Sequence, residues 1–174
     1  SSATMQQGAN ITTKITGDFN SGGYIYAIAA HEASNKAYYA GLGGTFGVWD
    51  STLNLSTELG TNDPGNWLNT SAVQALSADA SGILVFLAAQ MGKFGVYNGS
   101  SNTLIDLSAT DTANWIGSDN LMAAGIHTSR PLTFFGGTSG KFGMYNWTSN
   151  VTTNLSNTDP GDWLAGDAIY SISV

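Results

Sequence analysis

Phe46-Gly47-Val48-Trp49-Asp50 returns as Phe94-Gly95-Val96-Tyr97-Asn98, and again as Phe142-Gly143-Met144-Tyr145-Asn146. Each step is 48 residues. The same step carries Trp67 to Trp115 and Trp163, with Phe19 in the equivalent place one step earlier. It also carries Asp63 to Asp111 and Asp159, and Leu59 to Leu107 and Leu155, with Ile11 before them. Several independent columns share one period without insertions, which identifies an internal structural repeat.

Each repeat reads as four short strands. The first covers 24–30, 72–78, 120–126 and 168–174; its last copy alternates Ile169, Ser171 and Ser173 with Tyr170, Ile172 and Val174, the period of a strand. The second covers 37–40, 84–88 and 132–135, and Gly43-Gly44, Gly92 and Gly140 follow as turns. The third carries the quoted block. Gly47, Gly95 and Gly143 sit inside it, where glycine marks a bulge or a close approach by another chain segment. Asn98-Gly99 is a strong hairpin dipeptide after it. The fourth strand ends at Leu59, Leu107 and Leu155. No segment shows a helical period.

Four antiparallel strands in a repeat of this length predict an all-β fold, a β-propeller with 48-residue blades. The small residues of the first strands suit the innermost position. The connection holding Asp63-Pro64-Gly65-Asn66-Trp67 would cross from the rim of one blade to the centre of the next, its Trp wedged between them. The repeats are expected at 24–71, 72–119 and 120–167, with 1–23 and 168–174 as end pieces of one partial or oligomer-completed domain. The N-terminal piece is expected to supply a fourth strand near Asn10–Lys14. Ser1 is no initiator and no signal sequence follows it, so processing or cutting is expected. Three blades do not close a ring, which takes roughly four to eight. The expected partners are therefore further copies of the chain, or the remaining blades of a longer one.

The glycine pair before the third strand, the Phe-Gly-Val-Trp/Tyr block and the Asp-Pro-Gly-x-Trp crossover resemble propeller repeats of the broad kelch, YVTN and WD40-like group. Such repeats are frequent on extracellular proteins of archaea and some bacteria. The resemblance covers essentially the whole chain and is to the architecture, not to one subfamily. Gly136-Gly137 is the double glycine of kelch blades, but Ala40-Gly41 and Ala88-Ala89 stand at the matching places, and Trp49-Asp50 is the one Trp-Asp pair. The resemblance implies an extracellular or cell-surface location and leaves activity open.

Composition narrows the function classes. Charged residues make up 10% of the chain, against roughly 25% in an average domain. The net charge is −7, with five basic residues, too few for a nucleic-acid surface. No cysteine is present, which excludes disulfides and thiolate metal sites. No apolar run is long enough for a membrane-spanning helix. The chain has no Gly-x-Ser-x-Gly elbow, no sialidase-type Asp box, no phosphate loop and no dinucleotide fingerprint, so no enzyme activity and no cofactor are expected.

Four features remain. Trp67, Trp115 and Trp163 have the residue type that stacks on sugars, and also the type that fills a core between blades. Asp63, Asp111 and Asp159 could offer oxygens to a hard cation, or simply hold Asp-Pro-Gly turns; no metal site is expected. His31 and His127 share one repeat position, where the middle copy has Asp79, which suits a structural role. Asn-x-Ser/Thr sequons stand at Asn10, Asn54, Asn69, Asn98, Asn146, Asn150 and Asn154, against about three expected by chance, and these would carry N-glycans on a secretory route. Together these point to a structural or adhesive surface module that self-associates through open blade edges. The alternative is a lectin-like propeller binding glycans at repeated equivalent sites.

Overall fold

A computed structural model describes residues 24–69, 71–112, 114–158 and 164–174. The expected strand near Asn10–Lys14, Ile11, Phe19, Asp159, Trp163 and the sequon at Asn10 lie outside these residues. The described residues are all-β, joined by single 3-10 turns such as Glu32–Ser34 and Gly60–Asn62.

Twelve strands form three four-stranded antiparallel sheets. Sheet I holds β1 (Ile25–His31), β2 (Lys36–Gly41), β3 (Phe46–Asp50) and β4 (Leu55–Glu58). Sheet II holds β5 (Val73–Ala78), β6 (Leu84–Ala89), β7 (Phe94–Asn98) and β8 (Thr103–Asp106). Sheet III holds β9 (Leu121–Ile126), β10 (Leu132–Gly137), β11 (Phe142–Asn146) and β12 (Val151–Asn154). Strands pair in chain order in every sheet, the arrangement of a propeller blade.

The register repeats with the sequence. Tyr39 pairs with Gly47, Leu87 with Gly95 and Phe135 with Gly143. The sheets lie side by side with their first strands adjacent, β1 to β5 and β5 to β9. Each sheet is buried on two faces where it has neighbours. One core, between sheets I and II, contains Tyr38, Phe46, Leu59, Trp67, Val85, Leu87 and Tyr97. The other, between II and III, contains Phe86, Phe94, Leu107, Trp115, Phe135 and Tyr145. Val85 and Leu87 of β6 thus point to one junction and Phe86 and Ala88 to the other, as strand alternation requires.

Several details differ from the sequence reading. Segment 168–174 forms no strand. It lies along sheet III, with Ile169 donating its amide to Gly137 O at 3.0 Å and Ile172 covering Gly125, but it has no ladder partner among the described residues. The fourth strands end one residue before Leu59, Leu107 and Leu155. Those leucines still donate to Phe46, Phe94 and Phe142 carbonyls, then enter 3-10 turns that break the extended run. The turn at Asn98 is a four-residue loop, because Asn98 pairs with Thr103. Asn98 Oδ1 accepts the Ser100 and Ser101 amides, and Asn102 takes the left-handed conformation at φ 53°. Asp50 and Asn146 cap the same loop in the other sheets, with Asn54 and Asn150 left-handed.

Candidate functional site

The crossover loops are built from their aspartates outward. Asp111 accepts the Trp115 amide on Oδ1 at 3.2 Å and the Ile116 amide on Oδ2 at 3.1 Å. Asp63 Oδ2 accepts the Leu68 amide at 2.8 Å, while its Oδ1 is buried without a hydrogen-bond partner among the described residues. The carboxylates thus fold the loop that delivers the tryptophan. Among the described residues, no group of three His, Cys, Asp or Glu side chains gathers as metal ligands would.

Trp67 and Trp115 are 7% and 5% exposed. Their rings lie against Gly95 and Gly143, the glycines inside the third strands of the following sheets. A Cβ at either glycine would collide with the indole, so these glycines exist for close approach and not for a bulge. The indole nitrogens of both are buried without an acceptor among the described residues. The structure places these two rings in the interior between sheets, with no open face toward solvent.

His31 and His127 have different surroundings. His31 is 9% exposed; its Nδ1 lies 2.7 Å from Ser34 Oγ, and its Nε2 reaches Ala80 O of sheet II at 3.0 Å. His127 uses Nδ1 to accept the Ser129 amide at 3.2 Å. Asp79, at the same repeat position, accepts Ser81 Oγ at 2.6 Å and the Leu84 amide at 2.9 Å. Burial pushes the Tyr38, Tyr97 and Tyr145 hydroxyls above the usual range, so they act as neutral donors to Gly82 O, Asn102 Oδ1 and Asn150 Oδ1.

The described sequon asparagines fall on crossover loops and on the β3–β4, β7–β8 and β11–β12 hairpins or at the strands beside them. Asn54, Asn69 and Asn150 are exposed with positive φ. Asn98, Asn146 and Asn154 are half-buried and cap local amides through Oδ1, which leaves Nδ2 outside those bonds.

The outer faces of sheets I and III complete the picture. Ile25, Ile28 and Trp49 stand in sheet I at the positions that Val73, Leu76 and Tyr97 occupy in the first core. Ile28 is 68% exposed, and Trp49 is half-buried over a cavity of ≈ 300 Å³. Phe134, Phe142, Met144 and Leu155 stand in sheet III where Phe86, Phe94, Val96 and Leu107 are buried in the second core. All four are half-buried, and Phe134 stacks on Phe142 at 6.2 Å between centroids.

Reading by repeated columns passes over Arg130 and Trp147, whose equivalents are Ser34 and Gly82, and Ser51 and Gly99. The signal that finds them is the opposite one, large side chains in columns otherwise small. No family model matches the chain, and no curated protein matches it in sequence. The chain's own repeats are therefore the comparison that carries the functional argument.

Proposed function

We propose that this chain is a structural or adhesive β-propeller module of an extracellular or cell-surface assembly, without enzymatic activity. It would associate with second copies of itself through its outer sheets. One observation carries the reading. The outer faces of sheets I and III hold apolar side chains at the repeat positions that are buried at both internal junctions. Sheet III of one copy, laid on β2, β3 and β4 of the next, would repeat the outer part of the contact that sheets II and III already make, with segment 168–174 taking the first-strand place. Such a contact is head-to-tail, and it closes into a ring or extends into a filament. The low charge, the polar uncharged surface and the sequons support a surface location.

The test is light scattering on the size-exclusion peak, with electron micrographs of the same fractions. A discrete oligomer or a polymer is expected, dissociated by Ile28→Glu. Ile28 is exposed, so this change places a charge in the contact without disturbing the core. A folded monomer at every soluble concentration would overturn the reading and leave the faces to blades of a longer chain.

A further inference from the structure

The two junctions differ on the side formed by the first hairpin of each sheet. Between sheets I and II the His31 ring rests on Gly82 and hydrogen-bonds Ala80 O, and the Tyr38 hydroxyl donates to Gly82 O at 3.1 Å. That junction is sealed. Between II and III every sealing element is replaced. The His31 position holds Asp79, folded back onto its own loop; the Tyr38 position holds Phe86, which has no hydroxyl; the Gly82 position holds Arg130. A cavity of ≈ 390 Å³ results, lined by Asp79, His127, Ser129, Arg130 and Trp147 among others.

These residues form a coherent set. Trp147 is half-buried and held from beneath by Phe86, with centroids 5.2 Å apart and planes at 50°. His127 accepts the Ser129 amide on Nδ1, which in the neutral ring puts the proton on Nε2, where it can be donated. Arg130 is exposed, and its guanidinium makes no ion pair or hydrogen bond with the described residues. The Asp79 oxygens each hold one local donor and keep a lone pair for another.

We propose that this cavity is a binding site for one neutral sugar ring, a hexose or N-acetylhexosamine unit of a glycan. The aromatic ring offers an apolar platform for the C–H face of a pyranose. Arg130 and His127 donate to its oxygens, and Asp79 accepts from its hydroxyls. Charges of both signs line the cavity. An anionic ligand would meet Asp79 and a cationic one Arg130, whereas a polyhydroxyl ligand uses donors and acceptors together. The volume lies within the range of small-molecule sites. This set of residues occurs once among the described junctions. It is independent of the outer faces and of self-association.

The test is a titration of the full chain, followed by amide and indole NMR shifts, with the methyl glycosides of glucose, galactose, mannose and N-acetylglucosamine. Glucuronate serves as the charged control. At least one neutral glycoside is expected to bind with a dissociation constant of about 1–10 mM, shifting the Trp147 indole and the amides of 79–81 and 127–130. Arg130→Ala, at an exposed position, is expected to weaken that binding about tenfold. The double change Asp79→His with Arg130→Gly restores two of the three sealing residues and leaves Phe86 in place. It is expected to abolish binding while leaving the melting temperature unchanged or higher, which separates loss of the site from loss of the fold. No shift with any neutral glycoside, binding of glucuronate alone, or undiminished binding by the folded double variant would each overturn the proposal.

Discussion

Between sheets I and II and between sheets II and III the same lower layer is present: an aspartate folds the crossover, a tryptophan enters the junction, and a strand glycine receives it. The upper layer is not shared. His31 and Tyr38 close one junction, while Asp79, Arg130 and Trp147 surround a cavity in the other. The parts that repeat are those that any two adjoining sheets require. Features particular to one activity belong where the repeat breaks, because packing does not dictate the residue there.

The shared layer gives the largest expected effect. Trp67→Ala and Trp115→Ala should each cost about 3–5 kcal/mol in urea unfolding, since each removes a buried indole and leaves a cavity over a glycine. The two losses should agree within about 1 kcal/mol. A loss below about 1 kcal/mol at either site would show that the ring does not bind the sheets together.

The aspartates sharpen the comparison, because they are equivalent in sequence and unequal in bonding. Asp111 accepts two loop amides and Asp63 one, with Asp63 Oδ1 buried and unpaired among the described residues. Asp111→Ala should cost about 2–3 kcal/mol and Asp63→Ala about 1 kcal/mol, read by thermal or urea unfolding. Equal costs would mean that both loops are held by something other than these carboxylates.

Much of the lower layer was legible in the sequence. The third strands occupy the quoted five-residue blocks without change, since an inward Phe, a packed Gly and an aromatic fix their register. The second strands run one or two residues past the sequence reading, because Gly41, Ala89 and Gly136-Gly137 continue the ladder toward the turns. Segment 168–174 has the alternation of a strand and none of its pairing, which depends on a neighbouring strand and not on its own residues. The burial of Trp67 and Trp115 follows from the glycines one repeat-step away, a relation that repeat-aligned columns contain. The cavity was illegible for a different reason. Arg130 and Trp147 meet at one end of the β10–β11 hairpin, and only the stacking of sheet II on sheet III brings Asp79 to them.

The two histidines give the smallest expected effect and the most direct probe of the upper layer. His31 bonds across the junction to Ala80 O and lies on Gly82, so His31→Ala should cost about 1–2 kcal/mol. His127 bonds only within its own loop, so His127→Ala should cost about 0.5 kcal/mol or less. The difference also has a direction in local dynamics. Amide exchange at residues 80–82 should accelerate in His31→Ala, because the alanine no longer ties their loop to sheet I. Exchange at the same amides should be unchanged in His127→Ala. If both variants behaved alike, the first junction would be held by its core alone, and the contrast between a sealed and an open upper layer would carry no energetic weight.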